Sequence, residues 1–148
     1  MVTMSAKVFV DTNVLLRARS KTAQLHQQAN QLVSEQRQAG AELWVSRQIL
    51  REYAMQVTRP QTDMKLLSAV ELEIELEAIQ TFFRVADETA AVTKQWIALL
   101  KQFPTGGKQV HDANIVATML VNNIGTLLTN NISDMKRFES LITIIPLA

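Results

Sequence analysis

The chain has 148 residues, enough to bury roughly two-thirds of its unfolded surface, so one domain spanning 1–148 is expected. With 47% hydrophobic residues, 20% charged residues and a net charge of +1, the composition suits an ordinary globular protein and makes no strong case for nucleic-acid or membrane binding, although Glu71, Glu73, Glu75 and Glu77 leave the remaining surface more basic than the total suggests. The lack of cysteine excludes disulfides, thiolate catalysis and cysteine-based zinc sites, and no signal peptide or run of ~20 apolar residues is present, so a cytoplasmic protein without a membrane span is expected.

Val8-Phe9-Val10 opens the chain as a short strand. An apolar run without alternation suits a strand covered on both faces. Asp11 follows at its carboxyl end, and Thr12 to about Ser20 reads as helix, with Val14, Leu15 and Ala18 on one side. Asp11 is open to two readings here, a helix cap or a ligand at the strand end where open α/β sheets bind ligands. Arg17, Arg19 and Lys21 form a small basic cluster, either a solvated helix end or a phosphate contact. Leu25 to Gln38 is a second helix, stopped by Gly40. Leu43-Trp44-Val45 is a second strand, and Ser46 caps a helix from Arg47 to about Val57 that carries Glu52 among apolar neighbours.

Met64 to Ile79 combines strand-like alternation at Glu71–Glu77 with strong helix formers. Its length decides for helix, with Leu67, Val70, Ile74 and Ile79 as a stripe and the four glutamates as a solvated face. Phe82–Val85 is expected as a third strand. A helix over Asp87–Leu100 should follow, capped by Asp87 and buried through Ala91, Val92, Trp96, Ile97 and Leu100. A loop containing Pro104, Gly106 and Gly107 leads to a helix over Val110–Asn122 with Asp112 in its first turn. His26 and His111 have no spaced partner and are read as structural or exposed. Thr126–Thr129 is a fourth strand, Asn130–Asp134 a polar turn in which Asp134 can cap a short Met135–Phe138 turn, and Leu141–Ile145 a fifth strand ended by Pro146. Alternation of this kind implies a three-layer α/β/α fold with a five-stranded, mainly parallel sheet.

Four acids then stand at related positions. Asp11 and Asp134 follow strands, Asp112 opens a helix after a glycine loop, and Glu52 lies on the helix after the second strand. In a parallel fold these places can converge on one crevice. Packed carboxylates repel, and some take up protons unless a cation compensates. Oxygen donors suit Mg²⁺ or Mn²⁺, and such an ion serves phosphoryl chemistry.

The segments Val10–Leu16, Leu50–Tyr53, His111–Ala117 and Leu128–Phe138 resemble the motifs of PIN-domain ribonucleases, in particular the VapC toxins of bacterial toxin–antitoxin pairs. The resemblance covers essentially the whole chain. It implies a metal-dependent endoribonuclease using Mg²⁺ or Mn²⁺, an RNA substrate, a cognate antitoxin and frequent homodimers. By position, Asp11, Glu52, Asp112 and Asp134 match the catalytic acids. Asp11, Asp112 and Asp134 match the metal ligands, Glu52 a holder or deprotonator of water, and Thr12, Asn13, Thr129 and Asn131 the supporting polar set. Met135 stands where an aromatic often follows the last acid, and should fill the same apolar space. The alternatives kept beside this reading are a non-catalytic relative that binds RNA or a partner, and a different metal-dependent phosphoesterase.

Overall fold

The computed structural model describes residues 5–60 and 66–148. Their elements run in the order β1 (Lys7–Val10), α1 (Thr12–Arg19), α2 (His26–Gln38), β2 (Glu42–Ser46), α3 (Arg47–Val57), α4 (Ala69–Phe82), β3 (Arg84–Ala86), α5 (Ala90–Gln102), α6 (Gln109–Val121), β4 (Thr126–Thr129), α7 (Ile132–Met135), a 3₁₀ turn (Lys136–Phe138) and β5 (Thr143–Pro146). The five strands form one sheet in the order β3-β2-β1-β4-β5, and every pairing is parallel. This is the three-layer α/β/α fold with a five-stranded sheet expected from the alternating elements, and the sheet is parallel throughout.

β1 is the central strand, which explains its uninterrupted apolar character. Val8, Phe9 and Val10 are covered on both faces and are all but inaccessible. Phe9 stands opposite Trp44 on one side and Leu127 on the other. Around this axis pack Val45, Ile49, Ile115, Met119, Leu127, Leu128 and Phe138. Met135 is fully buried in the same core, filling apolar space as expected of it.

The chain runs from β1 to β2 and β3 on one side, then crosses back to place β4 and β5 on the other. The strand order therefore reverses between β1 and β4. In open parallel sheets the crevice at such a switch point, outside the carboxyl ends of the strands, is where ligands bind. Asp11 closes β1 at this place, its backbone N–H donating to the Leu128 carbonyl of β4 at 3.0 Å.

Several local expectations are corrected. α4 begins at Ala69 behind a complete capping box, with Ser68 and Glu71 satisfying each other's backbone N–H groups, and it runs on through Phe82. The expected start at Met64 lies outside the described residues. Because Phe83 N–H still bonds Ile79 O, only Arg84–Ala86 are free to pair with β2. Val70 and Ile74 are 65% and 61% exposed, so of the anticipated stripe on α4 they lie off the packed face, which Ile79 forms together with Leu76. α5 is capped by Thr89, whose hydroxyl accepts from Val92 N–H at 3.3 Å, because the Asp87 carboxylate is taken by Arg47 at 3.1 Å. Its buried positions are Val92 and Leu99, while Ile97 stays half exposed. Asp134 lies inside the first turn of α7 rather than capping a later one. The last strand begins at Thr143 and includes Pro146, which an edge strand tolerates because the missing N–H faces no neighbour. His26 is structural, its Nδ1 donating to the Arg17 carbonyl at 2.8 Å.

Candidate active site

Asp11 is 5% exposed and sits at the N-cap position of α1. Its Oδ1 accepts from Thr12 N–H at 2.8 Å, while Oδ2 accepts from the Thr129 hydroxyl at 2.8 Å and from Asn13 Nδ2 at 3.2 Å. A carboxylate offers about four acceptor sites, so three bonds fix its orientation and leave one lone pair for the crevice. Capping and facing the crevice are thus not exclusive. Burial nonetheless dominates its chemistry, holding the Asp11 carboxyl above its ordinary range despite these donors, with added repulsion from Glu52.

Thr129 and Asn13 tie the ends of β1 and β4 together. The Thr129 hydroxyl, fully buried, donates to Asp11 and accepts from Asn131 N–H at 2.9 Å. Asn13 Oδ1 accepts from Asn130 N–H at 2.8 Å, and its amide also reaches Thr129 Oγ1 at 3.3 Å. Asn131 enters this network through its backbone.

Glu52 projects from α3 toward the same place. Thr12 Oγ1 donates to its Oε2 and Gln48 Nε2 to its Oε1, each at 2.9 Å. Gln48 is a residue the sequence reading missed. It is 5% exposed, donates also to the His111 carbonyl at 2.9 Å, and accepts from Asn114 Nδ2 at 2.8 Å. One buried amide therefore fastens Glu52 to the first turns of α6, which carry Asp112. The only sign of this in the sequence is spacing, since Gln48 lies one turn before Glu52 on the same helix face.

Asp112 completes the gathering. Its carboxyl is pushed up to about 6, first by burial and then by repulsion from Asp134, Asp11 and Glu52, against a weaker pull from Arg137. Asp112 thus lies within the fields of the other three acids, and Asp11 within that of Glu52. Arg137 is held beside them, donating through Nε to the Asp134 carbonyl at 3.2 Å and through Nη1 to Gln109 Oε1 at 2.8 Å.

As they stand among the described residues, no three His, Asp or Glu side chains are arranged to hold a metal ion together. The donor set nonetheless fits a hard divalent ion, which needs few protein oxygens and retains waters. A carboxyl raised by burial and by three like charges is the kind of group a cation relieves.

The fold and crevice define an all-parallel α/β protein with an acidic site at its topological switch point. The family model of the PIN domain matches residues 8–140, and the chain belongs to that family. Among solved structures it is similar to VapBC2 from Rickettsia felis bound to a DNA fragment from its promoter, at 21% identity and a TM-score of 0.66 over 95% of this chain and 98% of that one. It is likewise similar to VapBC-1 from nontypeable Haemophilus influenzae, at 15% identity and a TM-score of 0.67 over 95% and 98%. A third likeness is to VapC20 from Mycobacterium tuberculosis, described as a sarcin–ricin loop cleaving toxin, at 20% identity and a TM-score of 0.62 over 81% and 86%. At these identities the likeness is one of fold. A comparison with curated proteins returns no match. Among the described residues no helix is long and apolar enough to cross a membrane.

Proposed function

We propose that the protein is a divalent-metal-dependent endoribonuclease and the toxin of a toxin–antitoxin pair. The observation that carries this reading is the convergence of Asp11, Glu52, Asp112 and Asp134 on the crevice between β1 and β4. Asp11, Asp112 and Asp134 would hold Mg²⁺ or Mn²⁺. Such an ion supplies positive charge at the attacked phosphate and eases the ionisation of water. The chain's own groups do the rest. Thr129 and Asn13 aim Asp11, while Thr12 and Gln48 hold both oxygens of Glu52, which takes the proton of the attacking water. Arg137, anchored next to Asp134, faces the phosphate charge.

Membership of the PIN family and the shared fold with toxins of VapBC complexes support the toxin role and a cognate antitoxin partner. Met55, Leu66, Val70 and Ile74 are each at least half exposed, and apolar surface of this kind favours a protein partner, either the antitoxin or a second copy. The test is cleavage of an RNA panel by purified protein in Mg²⁺ or Mn²⁺, with Asp11→Asn alongside. Wild-type cleavage that is lost in the variant and in EDTA is the expected result. RNA binding without cleavage would favour the non-catalytic reading, and equal turnover of DNA or small phosphoesters would favour a broader phosphoesterase.

A further inference from the structure

A cavity of about 420 Å³ opens beside the acid cluster, between the C-terminal ends of α1 and α3 and the turn that follows α1. Asn13 belongs to both places. It lines the cavity, and its amide donates to Asp11 Oδ2 at 3.2 Å. Whatever fills the cavity therefore lies one residue away from the crevice. We propose that this cavity receives one unpaired nucleotide of the RNA, next to the bond that is cut.

The lining selects an anion. It contains Arg17, Arg19 and Arg59 and, among the described residues, no acid. Arg19 is already neutralised by Glu75 at 2.5 Å, and Tyr53 holds that carboxylate from the other side at 2.6 Å, so Arg19 serves as wall. Arg17 and Arg59 have no carboxylate partner among the described residues. Arg17 Nη1 donates to the Gln24 carbonyl at 2.8 Å, which steadies the guanidinium and leaves most of its five N–H donors free. One steadied cation, Arg17, and a second, Arg59, without a carboxylate partner among the described residues match, beside an acid cluster, a polyanion whose attacked phosphate sits at the acids and whose neighbouring phosphate sits at the arginines.

The rest of the lining suits a base. Leu16 and Leu66 offer apolar surface, and the Gln56 side-chain amide is unengaged among the described residues, able to read a base edge with donor and acceptor. The volume falls in the roughly 300–1,000 Å³ range of small-molecule sites, which admits one nucleotide and excludes a duplex. Bases within an A-form helix are stacked and unreadable from its deep groove, so a base entering the cavity has to come from a loop, bulge or single strand. A basic protein segment is disfavoured by the same arginines.

This inference rests on the ribonuclease reading and refines its substrate class. The probe is a short fluorescein-labelled single-stranded RNA bound to the full-length Asp11→Asn protein in EDTA, followed by anisotropy across a salt series. Adding Arg17→Ala or Arg59→Ala is expected to weaken binding about tenfold. Each should also reduce the salt slope by about one. Arg59→Lys should restore part of the loss, and the paired form of the same RNA should be insensitive to all three changes. Arg84→Ala, on the far edge of the sheet, should bind like the parent. In the catalytically competent protein Arg59→Ala should raise KM, and Gln56→Ala should change the base preferred at one position beside the cut. Unchanged affinity and KM, equal losses for paired and unpaired RNA, or displacement by an acidic peptide with no RNA binding would each overturn the proposal. If wild type cleaves RNA while the arginine variants keep its KM, the cavity assignment fails and the nuclease reading stands. If no RNA is bound or cleaved at all, both fall. Thermal melts of each variant separate lost contacts from lost folding.

Discussion

Asp112→Asn should make the metal-free protein more stable at pH 7.5 and leave it nearly unchanged at pH 4. The carboxyl of Asp112 is raised from an ordinary 3.8 to about 6 by burial and by the charges of Asp134, Asp11 and Glu52. A carboxyl whose folded pKa exceeds its unfolded one favours the fold while protonated. That contribution is fully present below 3.8 and is lost as pH rises through about 6. Asparagine is close in shape to the protonated acid and carries no charge, so it removes the loss. The shift corresponds to about 3 kcal/mol at 1.36 kcal/mol per pH unit. Asp112 is only half-buried, and solvent screening reduces this to about 1–2 kcal/mol. For a chain of this size that is a rise in Tm of about 3–6 °C. Thermal melts of both proteins in EDTA from pH 4 to pH 8 read the difference directly. Saturating Mg²⁺ should then reverse the order, because bound cation stabilises the intact acid set more than the depleted one. A variant that is equally destabilised at pH 4 and pH 7.5 would show that Asp112 makes a structural contact instead of sharing a repulsive cluster.

Gln48→Ala should cost about 1–3 kcal/mol in a thermal melt, since it strands Asn114, the His111 carbonyl and one oxygen of Glu52. It should also lower kcat, and Gln48→Glu should lower it further by setting a second charge against Glu52. Thr129→Val keeps the shape of a fully buried residue but removes the donor to Asp11 and the acceptor for Asn131 N–H. A loss of about 1–3 kcal/mol is expected, measured by urea unfolding. Glu75→Gln removes the partner of Arg19 and Tyr53. Because Arg19 holds the Glu75 carboxyl below its usual 4.5, the stabilisation is present above that pH and disappears as pH falls through the lowered value. The variant should therefore melt below wild type at pH 7 and converge with it in strong acid.

Glu75 also shows where reading along the chain stopped. In the sequence it is one of four alternating glutamates, and a solvated face is the natural reading. In the fold, α4 leans on α1 and α3 with Glu75 turned inward between Arg19 and Tyr53, while Val70 and Ile74 point outward. Periodicity identifies a helix but does not say which face the rest of the chain will cover. The α5 cap was misplaced for a related reason. The sequence reading set it at Asp87, but in the fold Arg47, forty residues earlier, pairs with Asp87 and Thr89 caps the helix.

What the sequence alone determined is the part set by local chemistry. β1 had to be a buried strand, because an apolar run with no polar alternation is stable only when covered on both faces. Asp11 had to follow it at the carboxyl end, and the alternation of elements required a mainly parallel sheet with helices on both sides. Strand order was decided only in three dimensions. Placing β4 against β1 turned Asp11 and Thr129, 118 positions apart, into hydrogen-bonded neighbours at a switch point. The buried Gln48 bridge from Glu52 to α6, and the gathering of Arg17 and Arg59 around one cavity beside Asn13, are likewise long-range consequences. A short-range pattern carries propensity and polarity, whereas repulsion among four carboxylates and the donors that aim them exist only once distant segments share one crevice.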